Sequence, residues 1–125
     1  KRLGDDVMNR YTVSTLASAL LAAGPAFADF EKVSDRDTFL GLVTGKTLSR
    51  PFVRLQVTSD GDIDGRGLQW DVTGDWSWQD GYFCRDLYWG GDDLGYNCQE
   101  VKANGNRIRF TSDRGSGDSA EFRLR

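Results

Sequence analysis

Hydrophobic and polar residues alternate along almost the whole chain from Lys46 to the C-terminus. The apolar positions are mostly β-branched or aromatic, and Asp-Gly, Gly-Gly and Asn-Gly pairs separate the alternating runs, a pattern typical of strands joined by tight turns. We predict eight strands, at residues 47–50, 53–59, 63–68, 72–79, 82–89, 96–102, 107–112 and 120–124. Because short connections force neighbours to pair antiparallel, the pattern predicts a mainly β up-and-down meander, closed as a small barrel or left as a curled sheet.

A single helical pattern precedes the strands. Ser34 is a favoured N-cap residue and acidic residues follow it in the first turn. Phe39, Leu42 and Val43 then form one apolar stripe, and Gly45 supplies a C-terminal stop. We therefore expect one short N-terminal helix that packs its stripe on the sheet and closes one end of it.

Residues 1–28 are predicted to be an export signal. An apolar stretch at 13–23 follows the basic Arg10, and Gly24-Pro25 leads to the small-residue box 26–28, which is the three-part pattern of a signal peptide. The apolar stretch is shorter than the ~20 residues that a membrane span needs. Residues 1–7, ahead of Met8, fit no part of the signal and are interpreted as a spurious extension. The mature chain is then a single domain at 29–125, located in the periplasm or secreted, with no membrane span.

The composition narrows the classes of function. The chain has 125 residues, which suits one domain, and its net charge is −3, which becomes −4 once the three cations and two anions of residues 1–28 are removed. An acidic chain disfavours nucleic-acid partners and favours a basic partner or a small ligand. The sequence contains no His, which excludes Ser-His and Cys-His nucleophiles and His-ligated zinc. No motif in the sequence indicates catalysis.

The two cysteines are predicted to form a disulfide. Asp80-Gly81 is a two-residue turn signal, and Gly90-Gly91 marks the turn after it. Cys84 and Cys98 each lie seven residues from Gly91, so they face each other on adjacent antiparallel strands. Facing positions are close enough to bridge, and an exported protein meets an oxidising compartment.

The segment 60–65, Asp-Gly-Asp-Ile-Asp-Gly, matches the start of a calcium loop, with carboxylates at positions 1, 3 and 5 and Gly at position 6. Position 12 is Asp rather than Glu, and strands rather than helices flank the segment. Two interpretations follow. The segment is a hairpin turn with solvated carboxylates, or it holds calcium, the one cofactor considered, through Asp60, Asp62, Asp64 and Asp71.

Aromatic residues concentrate in the middle third of the chain and suggest two roles. Alternation places Trp76, Trp78, Phe83 and Trp89 on one face of a hairpin, which is typical of a core. Aromatics beside Gly90-Gly91 are also typical of an exposed binding loop. Arg85 falls on the aromatic face opposite Trp76, where it would stack on a ring or bind an anion. The candidate binding residues are Tyr88, Trp89, Tyr96 and Arg85.

A family resemblance rests on three segments of the chain, 74–85 (GDWSWQDGYFCR), 97–101 (NCQEV) and 109–117 (RFTSDRGSG). They resemble small exported proteins of alphaproteobacteria, especially rhodobacter-type species, which often carry the label dihydrodipicolinate reductase. The resemblance implies export and a shared fold, and it carries over no functional residue. The labelled reductase would need a Gly-rich strand–turn–helix unit and a catalytic segment containing His and Lys, and this sequence has no such unit and no His.

These observations favour a binding or inhibitor-like module, comparable in build with small β-barrel inhibitors of proteases or lysozymes, with an unknown protein or small-molecule partner. The alternatives are the reductase and a calcium-dependent structural protein. We expect recognition to use the loop at 88–96, because it combines aromatic, glycine and acidic residues above the disulfide.

Overall fold

A computed structural model describes residues 29–125, and the predicted signal peptide with its extension lies outside the described residues. The elements are β1 (Glu31–Val33), α1 (Arg36–Val43), β2 (Leu48–Arg50), β3 (Val53–Val57), β4 (Asp62–Gly67), β5 (Trp70–Gln79), β6 (Tyr82–Trp89), β7 (Asp92–Asp93), β8 (Asn97–Asn104), β9 (Arg107–Thr111), α2 (Ser112–Gly115) and β10 (Ser119–Leu124). Neither helix of this part of the chain is long and apolar enough to cross a membrane.

Eight strands, β2–β6 and β8–β10, form a closed antiparallel barrel. Their order around the barrel follows their order in the chain. β6 pairs directly with β8, although the short β7 lies between them in the sequence, and β10 pairs with β2 to close the barrel. The predicted up-and-down meander is confirmed, and of its two predicted forms the closed barrel is the one observed. Two further strands were not predicted: β1 adds to β8, and β7 adds to the end of β6.

Helix α1 closes one end of the barrel. Phe39 is fully buried, and its ring centroid lies 5.1 Å from that of Phe83, 5.2 Å from Trp78 and 5.3 Å from Trp76. Trp78 and Phe83 flank the β5–β6 turn, so the helix covers the end at which this turn lies. We call it the helix end and the opposite one the far end.

The N-cap of α1 is Asp35, so the prediction of Ser34 is wrong. The Asp35 carboxylate accepts a hydrogen bond from the Thr38 backbone N–H at 3.0 Å, and bonds from Thr38 hold the pKa of Asp35 below its usual range. Either residue type caps helices well, and the chain enters the helix one residue later than predicted. Gly45 follows the helix with φ of 74°, as a C-terminal stop requires.

Inward side chains of the strands fill the barrel. Alternation directs one face of every strand to the core, and α1 and β1 add Phe39, Val43 and Val33 to it. The buried core residues contributed by the strands of the barrel are Leu48, Val57, Ile63, Trp76, Phe83, Val101, Ile108, Phe110, Phe122 and Leu124. Most outward residues face solvent, and they therefore carry the surface chemistry of the molecule.

Candidate functional site

The predicted disulfide joins Cys84 and Cys98, whose Cα atoms lie 3.9 Å apart, and no cysteine of the described residues is free. It bridges β6 to β8, where only three residue pairs close the barrel, and Cys84 is buried. A stable disulfide indicates an oxidising environment outside the cytoplasm.

The hairpin above the disulfide pairs Cys84 with Cys98 as predicted, but its turn differs from the predicted one. The turn contains two residues, Gly90 and Gly91, with φ of 57° and 90°, and it pairs Trp89 with Asp92. This register is one residue out of step with the Cys84–Cys98 pair, and the segment around Gly95 takes up the extra residue as a bulge. The turn is therefore not centred on Gly91, and the bulge restores the facing cysteines.

The four candidate binding residues divide between two faces of the barrel. Arg85 and Trp89 lie on the inward face of β6, whereas Tyr88 lies on its outward face. Tyr96 is exposed, and its hydroxyl group lies 3.6 Å from the Cys98 Sγ, over the disulfide. The structure thus does not bring the four residues together in one site.

Trp89 and Arg85 are both tied to backbone carbonyls. The Trp89 indole N–H donates to the Gly67 carbonyl at 2.8 Å and its ring meets Trp70 edge to face, so the half-buried Trp89 packs as part of the wall. The Arg85 guanidinium donates to the Gly95 carbonyl at 2.6 Å, and burial lowers its pKa. Among the described rings, Trp76 is covered by Arg36 at 5.4 Å rather than by Arg85.

Arg85 and Gln99 are the polar side chains lining an interior cavity of about 150 Å³. The remaining walls are apolar, among them Leu55, Phe110 and Phe122. Because Arg85 already donates to Gly95 and Gln99 donates to the Ser112 hydroxyl at 3.1 Å, both polar groups have partners in the fold.

An acidic surface lies outside this wall, on strands β4–β7. Two rows of outward residues run across these strands in register. The first row is Asp62–Asp75–Asp86, and the second is Asp64–Thr73–Tyr88–Asp93. We call Tyr88 with its five surrounding aspartates the acidic face. Within residues 29–125, none of these five carboxylates forms an ion pair. Like charges directly opposite each other destabilise a sheet, so folding alone does not favour this arrangement.

The negative charge of the acidic face changes the pKa of Tyr88. Negative charge from Asp86, Asp93 and Asp75, together with some burial, raises the pKa of the Tyr88 phenol above its usual value. The phenol is therefore neutral at physiological pH and keeps its proton as a hydrogen-bond donor. Tyr88 offers an apolar ring and a donor at the centre of a negative surface.

The acidic row was not predicted, although the Asp80-Gly81 turn determines part of its register. The Asp80-Gly81 turn that pairs Trp78 with Phe83 also pairs Asp75 with Asp86. Reading that register along the outward positions finds the first acidic pair.

The four calcium candidates lie at different kinds of position. Asp60 is in the β3–β4 turn, Asp62 and Asp64 point outward from β4, and Asp71 pairs with Arg66 at 2.7 Å. In the part of the chain described, no group of three or more acidic or cysteine side chains is placed to hold a metal. Calcium binding stays a hypothesis, tested by whether calcium raises the melting temperature.

Every strand pairing within residues 29–125 is antiparallel, so this part of the chain holds no parallel strand–helix–strand unit of the kind that binds dinucleotides. No protein-family model, curated protein or solved structure matches the chain.

Proposed function

We propose that this protein is an exported, inhibitor-like binding module whose acidic face binds a cationic protein partner. The observation that supports the proposal most is the row Asp62–Asp75–Asp86, three carboxylates in cross-strand register with no cation of residues 29–125 paired to them. A basic partner would relieve their repulsion and would be steered to the face by its own charge.

The surroundings of the row suit recognition of a protein. Tyr88 contributes a large contact area with little conformational freedom to lose, and aromatic residues of this kind are enriched in protein interfaces. The exposed Tyr96 extends the aromatic surface over the disulfide. Because the disulfide fixes β6 to β8 below the tip, little ordering of the backbone opposes association.

The proposal is tested by measuring the affinity of the purified protein for a cationic lysozyme, used as a probe, and for the same lysozyme with acetylated lysines. We expect the acetylated probe to bind much more weakly. We also expect Asp75→Asn/Asp86→Asn to weaken binding about tenfold, roughly 1.4 kcal/mol, and to fold about 0.5 kcal/mol more stably because a like-charge pair is removed. A variant that binds less yet unfolds later separates binding from structure.

The matched control is Asp60→Asn/Asp80→Asn, which removes two charges from turns at the helix end. Asp80 has φ of 53°, a conformation that Asn also accepts, so the control should fold normally. Equal losses in both double variants would show nonspecific attraction and contradict the proposal, as would failure of the native protein to bind. Calorimetric binding of NADPH with a micromolar dissociation constant would favour the reductase instead.

A further inference from the structure

A second charged surface lies on the side of the barrel formed by β9, β10, β2, β3 and β4. Outward residues of these five strands form one row in register, Arg107–Arg123–Ser49–Arg54–Arg66. The row borders a surface groove of about 890 Å³ lined by six arginines, Arg50, Arg54, Arg66, Arg107, Arg123 and Arg125, with Glu121 as its one acidic lining residue. We call this surface the arginine groove.

The positive charge of the arginine groove is only partly neutralised. Glu121 accepts from Arg107 at 2.8 Å and from Arg109 at 3.3 Å, and these bonds hold the pKa of Glu121 below its usual range. Asp71 pairs with Arg66. Across residues 29–125, the side chains of Arg54 and Arg123 have no ion pair, hydrogen bond or ring contact, although both are exposed in the row. The groove therefore presents unpaired guanidinium groups, which match phosphate geometry well.

Two apolar turns border the same groove at the far end. Phe52, in the β2–β3 turn, is 78% exposed, and Leu68, in the β4–β5 turn, is 57% exposed. Both have left-handed backbones, with φ of 66° and 56°, and the Leu68 N–H donates to the Phe52 carbonyl at 2.7 Å. Bulky residues are rare in this conformation, where Gly or Asn fits without strain. These two positions thus combine backbone strain with apolar exposure, and neither feature stabilises the fold.

We propose that the arginine groove and the apolar turns Phe52 and Leu68 form a docking surface for an anionic phospholipid bilayer. Basic residues beside exposed apolar residues are the combination by which proteins bind membrane surfaces, since arginines pair with headgroup phosphates while apolar side chains enter the interface. Neither contribution suffices alone, because stable peripheral binding takes two signals. A soluble polyanion would engage the arginines and leave Phe52 and Leu68 without a role. The surface adjoins the acidic face on β4 but shares no residue with it, and it does not depend on the function proposed for that face.

The test is co-sedimentation of the purified protein with vesicles of phosphatidylcholine alone and of equal parts phosphatidylcholine and phosphatidylglycerol. We expect binding to the mixed vesicles only, weakening as salt rises. Arg54→Gln/Arg123→Gln removes two positive charges without breaking an ion pair and should lower the partition coefficient about fivefold per arginine, thus roughly 25-fold. The control Lys32→Gln/Arg36→Gln removes two cations from outside the groove and should change binding less than twofold.

A second variant tests the apolar turns. Phe52→Asn/Leu68→Asn places a residue type suited to the left-handed conformation at both positions, so it should unfold no earlier than the native protein and yet lose most vesicle binding. Three results would overturn the proposal. They are equal binding to neutral vesicles, equal losses in the arginine variant and its lysine–arginine control, and binding of the protein to a soluble RNA without binding to the mixed vesicles.

Discussion

Replacing Phe39 with alanine should destabilise the protein by about 3–5 kcal/mol, the cost of removing a fully buried aromatic ring. Phe39 has no exposed surface, and its ring contacts those of Trp76, Trp78, Phe83 and Phe110 at centroid distances of 5.1–6.3 Å. These partners come from three strands, so the cavity left by alanine would open where the helix joins the barrel wall. A domain of about 100 residues has only roughly 5–15 kcal/mol of stability, and such a loss removes a large part of it.

The measurement is denaturant unfolding followed by tryptophan fluorescence, since Trp76 and Trp78 surround the substituted ring. Phe52→Ala is the matched control because it removes the same ring from a site that is 78% exposed, and its cost should stay within about 0.5 kcal/mol. A cost below about 1 kcal/mol for Phe39→Ala would show that α1 does not plug the barrel.

The meander could be predicted because its information is local. Alternation identifies each strand, and short connections fix which neighbours pair. The two strands that were missed, Glu31–Val33 and Asp92–Asp93, are too short for alternation to be visible. They form because β6 and β8 pair with each other at only three residues, which leaves the rest of β8 free to pair with β1 and the end of β6 free to pair with β7. The helix was predicted with the wrong cap because Ser34 and Asp35 are equally suitable residue types.

The two charged surfaces differ in how far sequence reasoning could reach them. The Asp75–Asp86 pair follows from a two-residue turn five residues away, so its register can be read from the sequence. The Arg123–Ser49 pairing joins the last strand to the first barrel strand, and no turn fixes its register. Arg50 and Arg123 are 73 positions apart in the sequence, and they line one groove only because the barrel closes.

The negative net charge of the chain gave no indication of the arginine groove. A value of −3 for the whole chain favours basic partners, and the acidic face agrees with that inference. At physiological ionic strength, however, charges interact over only about 8 Å, so a partner meets the local surface rather than the total. The aspartates of the acidic face lie on β4–β7, and the arginine row lies on β9, β10, β2, β3 and β4. The two surfaces meet on β4, where Asp64 and Arg66 point outward two residues apart, and away from this strand each surface keeps its own sign.

Removing the disulfide should cost about 2–4 kcal/mol. The bond closes a loop between residues 14 apart in sequence, for which the chain-entropy model gives roughly 3 kcal/mol. It also lies at the seam of the barrel, where the β6–β8 ladder has three residue pairs and Cys84–Cys98 is the central one. Without it, the hairpin tip that carries Tyr88 would be held by fewer constraints, so we expect affinity for the cationic probe to fall as well as stability.

Thiol titration of the unfolded, unreduced protein should find no free thiol, and Cys84→Ser/Cys98→Ser should unfold at lower denaturant concentration. Cys84 is 1% exposed, so its serine hydroxyl would be buried and would add a cost of its own. Cys84→Ala/Cys98→Ala separates this effect, because the difference between the double variants measures the hydroxyl groups and the shared loss measures the bond. Two thiols per unfolded chain, or an alanine variant as stable as the native protein, would show that the seam is held by strand pairing and by the core beneath it.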